Sequence, residues 1–204
     1  MAKIVECIPN YSEGKDLAKI DRIVAPYKNN PKVKLLGVEP DANYNRTVVT
    51  VLGDPEEVKK AVIESIGIAT KEIDMNVHKG EHKRMGATDV VPFLPIQEMT
   101  TEECNEISRE VAKAVWEQFQ LPVFLYESTA TAPNRVSLPD IRKGEYEGMA
   151  EKLKQPEWAP DFGERAPHPT AGVTAIGCRM PLIAFNINLA TTDMDIPKEI
   201  AKAI

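Results

Sequence analysis

Residues 33–53, "VKLLGVEPDANYNRTVVTVLG", decide the fold. Two apolar, β-branched runs, "VKLLGVEPD" (33–41) and "RTVVTVLG" (46–53), flank the turn formers of "DANYN". That spacing predicts a β-hairpin. Elsewhere helices and strands interleave, the pattern of a doubly wound parallel sheet. A hairpin breaks that pattern, because two strands joined by so short a turn must run antiparallel. The expected class is therefore α/β of the α+β kind: a mixed β-sheet with helices packed on one face.

The flanking sequence fits. "KIVECIP" reads as a strand, and "NYSEG" as a turn in which Ser12 caps the helix "KDLAKIDRIVAPY". After the hairpin, Asp54-Pro55 opens a helix with Val58, Ala61, Val62, Ile66 and Ala69 on one face. "VVPFLPI" is a strand, and "TTEECNEISREVAKAVWEQFQ" is a helix capped by Thr100 or Thr101. "LPVFLYES", "VTAIGCR" and "PLIAFNINLA" read as strands. "SLPDIRKGEYEGMAEKLKQ" is a polar helical segment broken by Gly144 and Gly148. "PEWAPDFGERAPHPTAG" is loop. "IPKEIAKAI" starts a further helix. Residues 1–180 are expected to form one unit, and 181–204 to open a second that stops early.

The chain has 204 residues, 43% hydrophobic and 27% charged, enough to bury a core. A net charge of −6 argues against a general nucleic-acid surface. No apolar run reaches membrane-spanning length, and "MAKIVECIPN" is no signal peptide. Cys7, Cys104 and Cys178 are odd in number and form no CxxC pair, so reduced, partly buried thiols and a cytoplasmic address are expected.

Two of the three histidines, His78 and His82, lie in "MNVHKGEHKRMGATDVVPFLP" (75–95). Four residues apart, they would share one face of a helix and grip a metal, but Gly80 between them argues against a helix. They are otherwise ordinary hydrogen-bonded histidines, or one is a general acid–base group. In that last case Lys79, Lys83 and Arg84 would hold an imidazole neutral and attract substrate carboxylates. Gly80 and Gly86 would let backbone approach a ligand. Asp89 either orients a histidine or caps the turn. Asn10, Ser12, Glu13, Glu39, Asp41, Asn45 and Arg46 sit at strand ends and would line one sheet edge with this loop. From the residues alone the reading stops at a histidine-centred site for a small anionic ligand.

At these motifs the sequence resembles a known family. "VECIPNYSEG", "NRTVVTVLG", "HKGEHKRMGATDVVPF", "LPDIRKGEYEGM", "PEWAPDFG" and "LIAFNINL" are similar, in order, to the glutamate formiminotransferases, folate enzymes of histidine degradation. The resemblance implies transfer of a formimino group from N-formimino-L-glutamate to N5 of tetrahydrofolate, a co-substrate, with no metal. It implies that His82 is catalytic, taking a proton from N5 and helping the glutamate amine leave. It places Asn10, Glu39, Asn45 and Arg46 at the substrates, Glu39 standing where many relatives carry Asp. It places folate contacts on the loop Gly163, Glu164, Arg165, Ala166, Pro167, His168, Pro169, Thr170, Ala171 and Gly172. The family holds its substrates between two similar subdomains, so a homo-oligomer or a complementing second subdomain is expected, with no nucleic acid or membrane partner. A half that binds folate without turnover is the alternative.

Overall fold

The computed structural model describes residues 2–182 and 189–203. The hairpin forms where expected: β3 (Val33–Asp41) pairs antiparallel with β4 (Arg46–Gly53). Its turn is an Asx turn, Asp41 Oδ1 accepting the N–H groups of Asn43 and Tyr44 at 2.9 Å each. β1 (Ile4–Cys7) and β2 (Asn10–Tyr11) are two halves of one interrupted strand. Both lie between β4 and β5 (Thr88–Gln97), antiparallel to each. β7 (Thr174–Cys178) runs parallel to β5, and β6 (Val123–Leu125) parallel to β7. The sheet is therefore mixed, in the order β3, β4, β1/β2, β5, β7, β6.

Three helices cover one face: α1 (Leu17–Lys28), α2 (Pro55–Glu72) and α3 (Thr101–Phe119). Val58, Ala61, Val62, Ile66 and Ala69 of α2 are buried against Val5, Val49, Val51, Val91 and Phe93 of the sheet. Asp54 caps α2, and Thr100 and Glu103 form a capping box on α3. The expected cap of α1 is displaced. Asp16 accepts from Lys19 N, while Ser12 Oγ donates to Gly86 O at 2.7 Å and ties β2 to the histidine loop. A buried hydroxyl chain locks α1 to α2: Tyr11 OH lies 2.7 Å from both Tyr27 OH and Ser65 Oγ, and Ser65 donates to Ile23 O.

The other face is covered at one end only. α4 (Leu138–Arg142) and α5 (Glu145–Lys152) pack there, burying Ile141, Met149 and Leu153 against Val90, Phe124 and Ala175. The chain breaks at Gly144, as expected, but Gly148 lies inside α5. Lys152 holds the two helices together. Its Nζ donates to Asp140 O and Ile141 O at 2.6 Å and to Lys143 O at 3.2 Å, 3.8 Å over the Trp158 ring. On the uncovered half, Glu39, Val48, Thr50 and Ile96 remain half-buried or exposed.

The strand expected at "PLIAFNINLA" falls largely on 183–188, outside the described residues. α6 (Asp195–Ala203) forms where "IPKEIAKAI" indicates a helix. No helix among the described residues is long and apolar enough to cross a membrane.

Lys152 supplies the first prediction. Lys152→Met removes charge-assisted hydrogen bonds from the end of α4 and should lower unfolding free energy by roughly 2 kcal/mol. Urea unfolding followed by circular dichroism measures this, and an unchanged midpoint would show that Lys152 does not hold α4.

Candidate functional site

Direct cross-strand partners share a face of the sheet. On the face opposite α1–α3, one row runs Glu39, Val48, Asn10, Val90, Ala175, Phe124. α4 and α5 bury its right-hand end, and the left-hand end is open. Arg46, two residues before Val48, points to the same face. Its Nη1 donates to Asn10 Oδ1 at 3.2 Å. Glu39 lies two strands from Asn10, about 10 Å away, on the exposed side of the row.

The histidine loop arches over this open end, and Asn45 fixes it there. Asn45 takes a left-handed backbone, φ 49°, at the close of the hairpin turn. Its Oδ1 accepts from Gly14 N at 2.9 Å, and its Nδ2 donates to Lys79 O at 2.8 Å. Its backbone carbonyl faces His78 Nε2 at 2.9 Å. Glycines permit the approach, but toward protein rather than ligand. A Cβ on Gly80 would sit 2.2 Å from Tyr44 O, and one on Gly86 2.0 Å from Val173 O.

His78 is structural. It is buried, its Nε2 donates to Asn45 O, and its Nδ1 accepts from Arg84 Nε at 3.3 Å. With both ring nitrogens engaged, it shares no ligand position with His82. Among the described residues no group of three His, Cys, Asp or Glu is gathered to hold a metal. Arg84 is likewise occupied: it pairs with Glu147 through two 2.8 Å bonds and with Glu145 at 3.2 Å. That guanidinium pulls Glu147 down to about 2. It anchors the loop to α5 instead of attracting a substrate.

His82 is different. Half-buried, it faces Arg46 Nη1 with Nε2 at 3.4 Å, and the Tyr44 ring lies 6.3 Å away. A guanidinium only donates, so Nε2 presents its lone pair and the proton sits on Nδ1. That Nδ1 is buried with no partner among the described residues. Burial first, then the charges of Arg46, Arg142 and Arg84, push the imidazole down to about 4. Lys79 and Lys83, expected to hold it neutral, are exposed and not among those causes. The cations that act come from β4 and α4 as well as from the loop itself.

Asp89 does not touch His82. Fully buried, it accepts from Met85 N at 2.9 Å and pairs with Arg142 Nη2. It thus caps the turn and brings α4's arginine beside the site. Sequence reading missed Arg142, because no local spacing links positions 89 and 142.

The 163–172 loop ends next to the histidine loop, where Gly172 bridges Gly86 and Val173 N donates to Met85 O. Its other parts lie elsewhere. Glu164, Arg165, Ala166 and Pro169 are exposed. His168 Nδ1 accepts from Ala171 N at 3.0 Å and Thr170 N at 3.3 Å, closing its own turn. With Thr170 it lines a cleft against Thr70, Lys71 and Phe119, on the helix side. The structure thus gathers His82, Arg46, Asn10 and Arg142, keeps Glu39 at the end of the same row, makes Asn45 an organiser, and leaves His168 apart.

Residues 4–179 match the formiminotransferase domain, N-terminal subdomain. The chain is 54% identical over 204 residues to a glutamate formimidoyltransferase of Streptococcus pyogenes, covering 100% of this chain and 68% of the relative. It is 42% identical over 203 residues to one of Thermoplasma acidophilum, covering 98% and 67%. Against the formimidoyltransferase-cyclodeaminase of Mus musculus it is 45% identical over 192 residues, 94% of this chain but 36% of the relative. The chain thus spans about a third of the two-activity relatives.

The His82 environment has a consequence for stability. The unfolded chain takes up the proton near 6.5 and the folded chain near 4. The contribution is whole above 6.5 and is lost as pH falls toward 4. His82→Gln should shrink the drop in urea midpoint between about pH 7 and about pH 4.5. Equal drops in variant and wild type would contradict a depressed His82.

Proposed function

The chain belongs to the formiminotransferase family, and on that premise we propose that it transfers a formimino group from N-formimino-L-glutamate to N5 of tetrahydrofolate. The products are 5-formiminotetrahydrofolate and L-glutamate, in histidine degradation. The observation that carries this reading is a neutral imidazole, His82, half-buried between guanidiniums at the open end of the sheet.

The chemistry needs one group that first takes a proton and then gives it back. As N5 attacks the carbon of the protonated formimino group, its proton passes to Nε2 of His82, displacing the Arg46 contact, and the C=N electrons move to the formimino nitrogen, which becomes a neutral amine. The resulting tetrahedral carbon collapses when His82 returns the proton to the glutamate nitrogen. The C–N bond to glutamate breaks and the C=N bond re-forms. Arg46 keeps the lone pair on Nε2, and Asn10 holds Arg46. Glu39, on the same face, lies within reach of a substrate spread along the row. The 163–172 loop borders the site through Gly172 and supplies folate contacts. Tetrahydrofolate is a co-substrate.

Residues 1–180 are read as the amino-terminal subdomain and 181–204 as the start of the second. The second subdomain completes the groove. The three free, buried cysteines suit a reducing, cytoplasmic setting. The alternative of a folate-binding half without turnover is not favoured, since relatives covered over two thirds of their length bear the transferase name.

The test mixes the purified chain with formiminoglutamate and tetrahydrofolate and follows 5-formiminotetrahydrofolate by absorbance. His82→Ala should lower kcat by about 10²–10⁴-fold with folate still bound. A variant as fast as wild type would remove His82 from the chemistry. A wild-type chain that binds folate but releases no glutamate would overturn the transferase reading in favour of the binding half.

A further inference from the structure

We propose that Arg142 is a substrate-binding residue that takes the α-carboxylate of the formimino donor beside His82. The inference deepens the transferase reading and rests on it.

Arg142 is built into place from two sides. It closes α4, whose last carbonyls are held by Lys152 Nζ. Its Nη2 is tethered to Asp89, a fully buried carboxylate whose other oxygen is held by Met85 N. That tether neutralises Asp89 and fixes the guanidinium, yet it occupies one nitrogen of a group with five N–H donors. Arg142 Nε is buried and has no partner among the described residues. The same is true of Arg46 Nε and of His82 Nδ1. A buried donor left unpaired is costly, and such a donor on a fixed guanidinium has capacity for a ligand's acceptor. Both arginines lie near enough for their charges to act on His82 and on Asp89 alike.

Donor chemistry selects the acceptor. The nitrogen that leaves is bonded to the carbon that carries the α-carboxylate, so this carboxylate stays beside the group that shuttles the proton. The γ-carboxylate lies farther along the chain and is free to reach elsewhere. A guanidinium already anchored by a buried carboxylate offers a carboxylate several donors at little cost in side-chain entropy. Arg46 is the poorer candidate, since its Nη1 already serves Asn10 and His82. If Arg142 were only a counter-ion for Asp89, it would show no preference among ligands.

The experiment compares L-glutamate with 4-aminobutanoate, which is glutamate without its α-carboxylate. Both are titrated by NMR into wild type, Arg142→Gln and Arg142→Lys. Wild type should bind glutamate about 10- to 100-fold more tightly. Arg142→Gln should bring that ratio close to one, and Arg142→Lys should recover part of it. The ratio within each protein does not depend on how much of the sample is folded. A wild type without preference, or an Arg142→Gln variant that keeps the full ratio, overturns the assignment. Turnover of formiminoglutamate by wild type is read separately. Turnover without glutamate preference sinks Arg142 and leaves the transferase standing, whereas preference without turnover sinks the transferase alone.

Discussion

The site depends on Asn45. One residue in left-handed backbone, a conformation Asn adopts more readily than most, closes the β3–β4 hairpin and binds two other segments to it. Its side chain holds Gly14 and Lys79, and its carbonyl holds His78. The next residue, Arg46, then reaches Asn10 and His82. The histidine loop has no regular secondary structure of its own, so its backbone polar groups find partners in the hairpin turn, in α5 and at β5. The Asn45 bonds hold the first half of the loop to the hairpin, while Arg84, Met85 and Gly86 hold its second half to α5, β5 and β2.

Position and charge then act together. Burial disfavours imidazolium, and the guanidiniums of Arg46 and Arg142 disfavour it further, so His82 rests neutral. An anion that pairs with either arginine removes part of that opposition. Asp89 completes the arrangement from below by fixing Arg142 rather than by touching the histidine.

Much of the fold was legible because it is locally encoded. "VKLLGVEPD" and "RTVVTVLG" carry β-branched residues on either side of an Asx turn, and the caps of α2 and α3 lie within three residues of the groups they satisfy. The shift of the α1 cap from Ser12 to Asp16 was not legible, since Ser12's partner, Gly86, is 74 positions away. The site divides in the same way. Clustering singled out the histidine loop, but spacing could not separate His78 from His82. Their difference comes from Asn45 and Arg84 engaging one ring and leaving the other. Arg84 looked like a substrate cation until Glu147 and Glu145 came to it from α5. Arg142 was not singled out, because only the meeting of the sheet and α4 at Asp89 brings it to this end of the fold.

The central claim is that His82 stands neutral, with its proton on Nδ1, in the free chain. Imidazole nitrogen NMR on the ring, assigned by comparison with His82→Gln, tests it directly. The expected spectrum shows a protonated Nδ1, a bare Nε2 and no second proton until pH falls to about 4. A ring that titrates at the ordinary 6.5, or carries its neutral-form proton on Nε2, would contradict it.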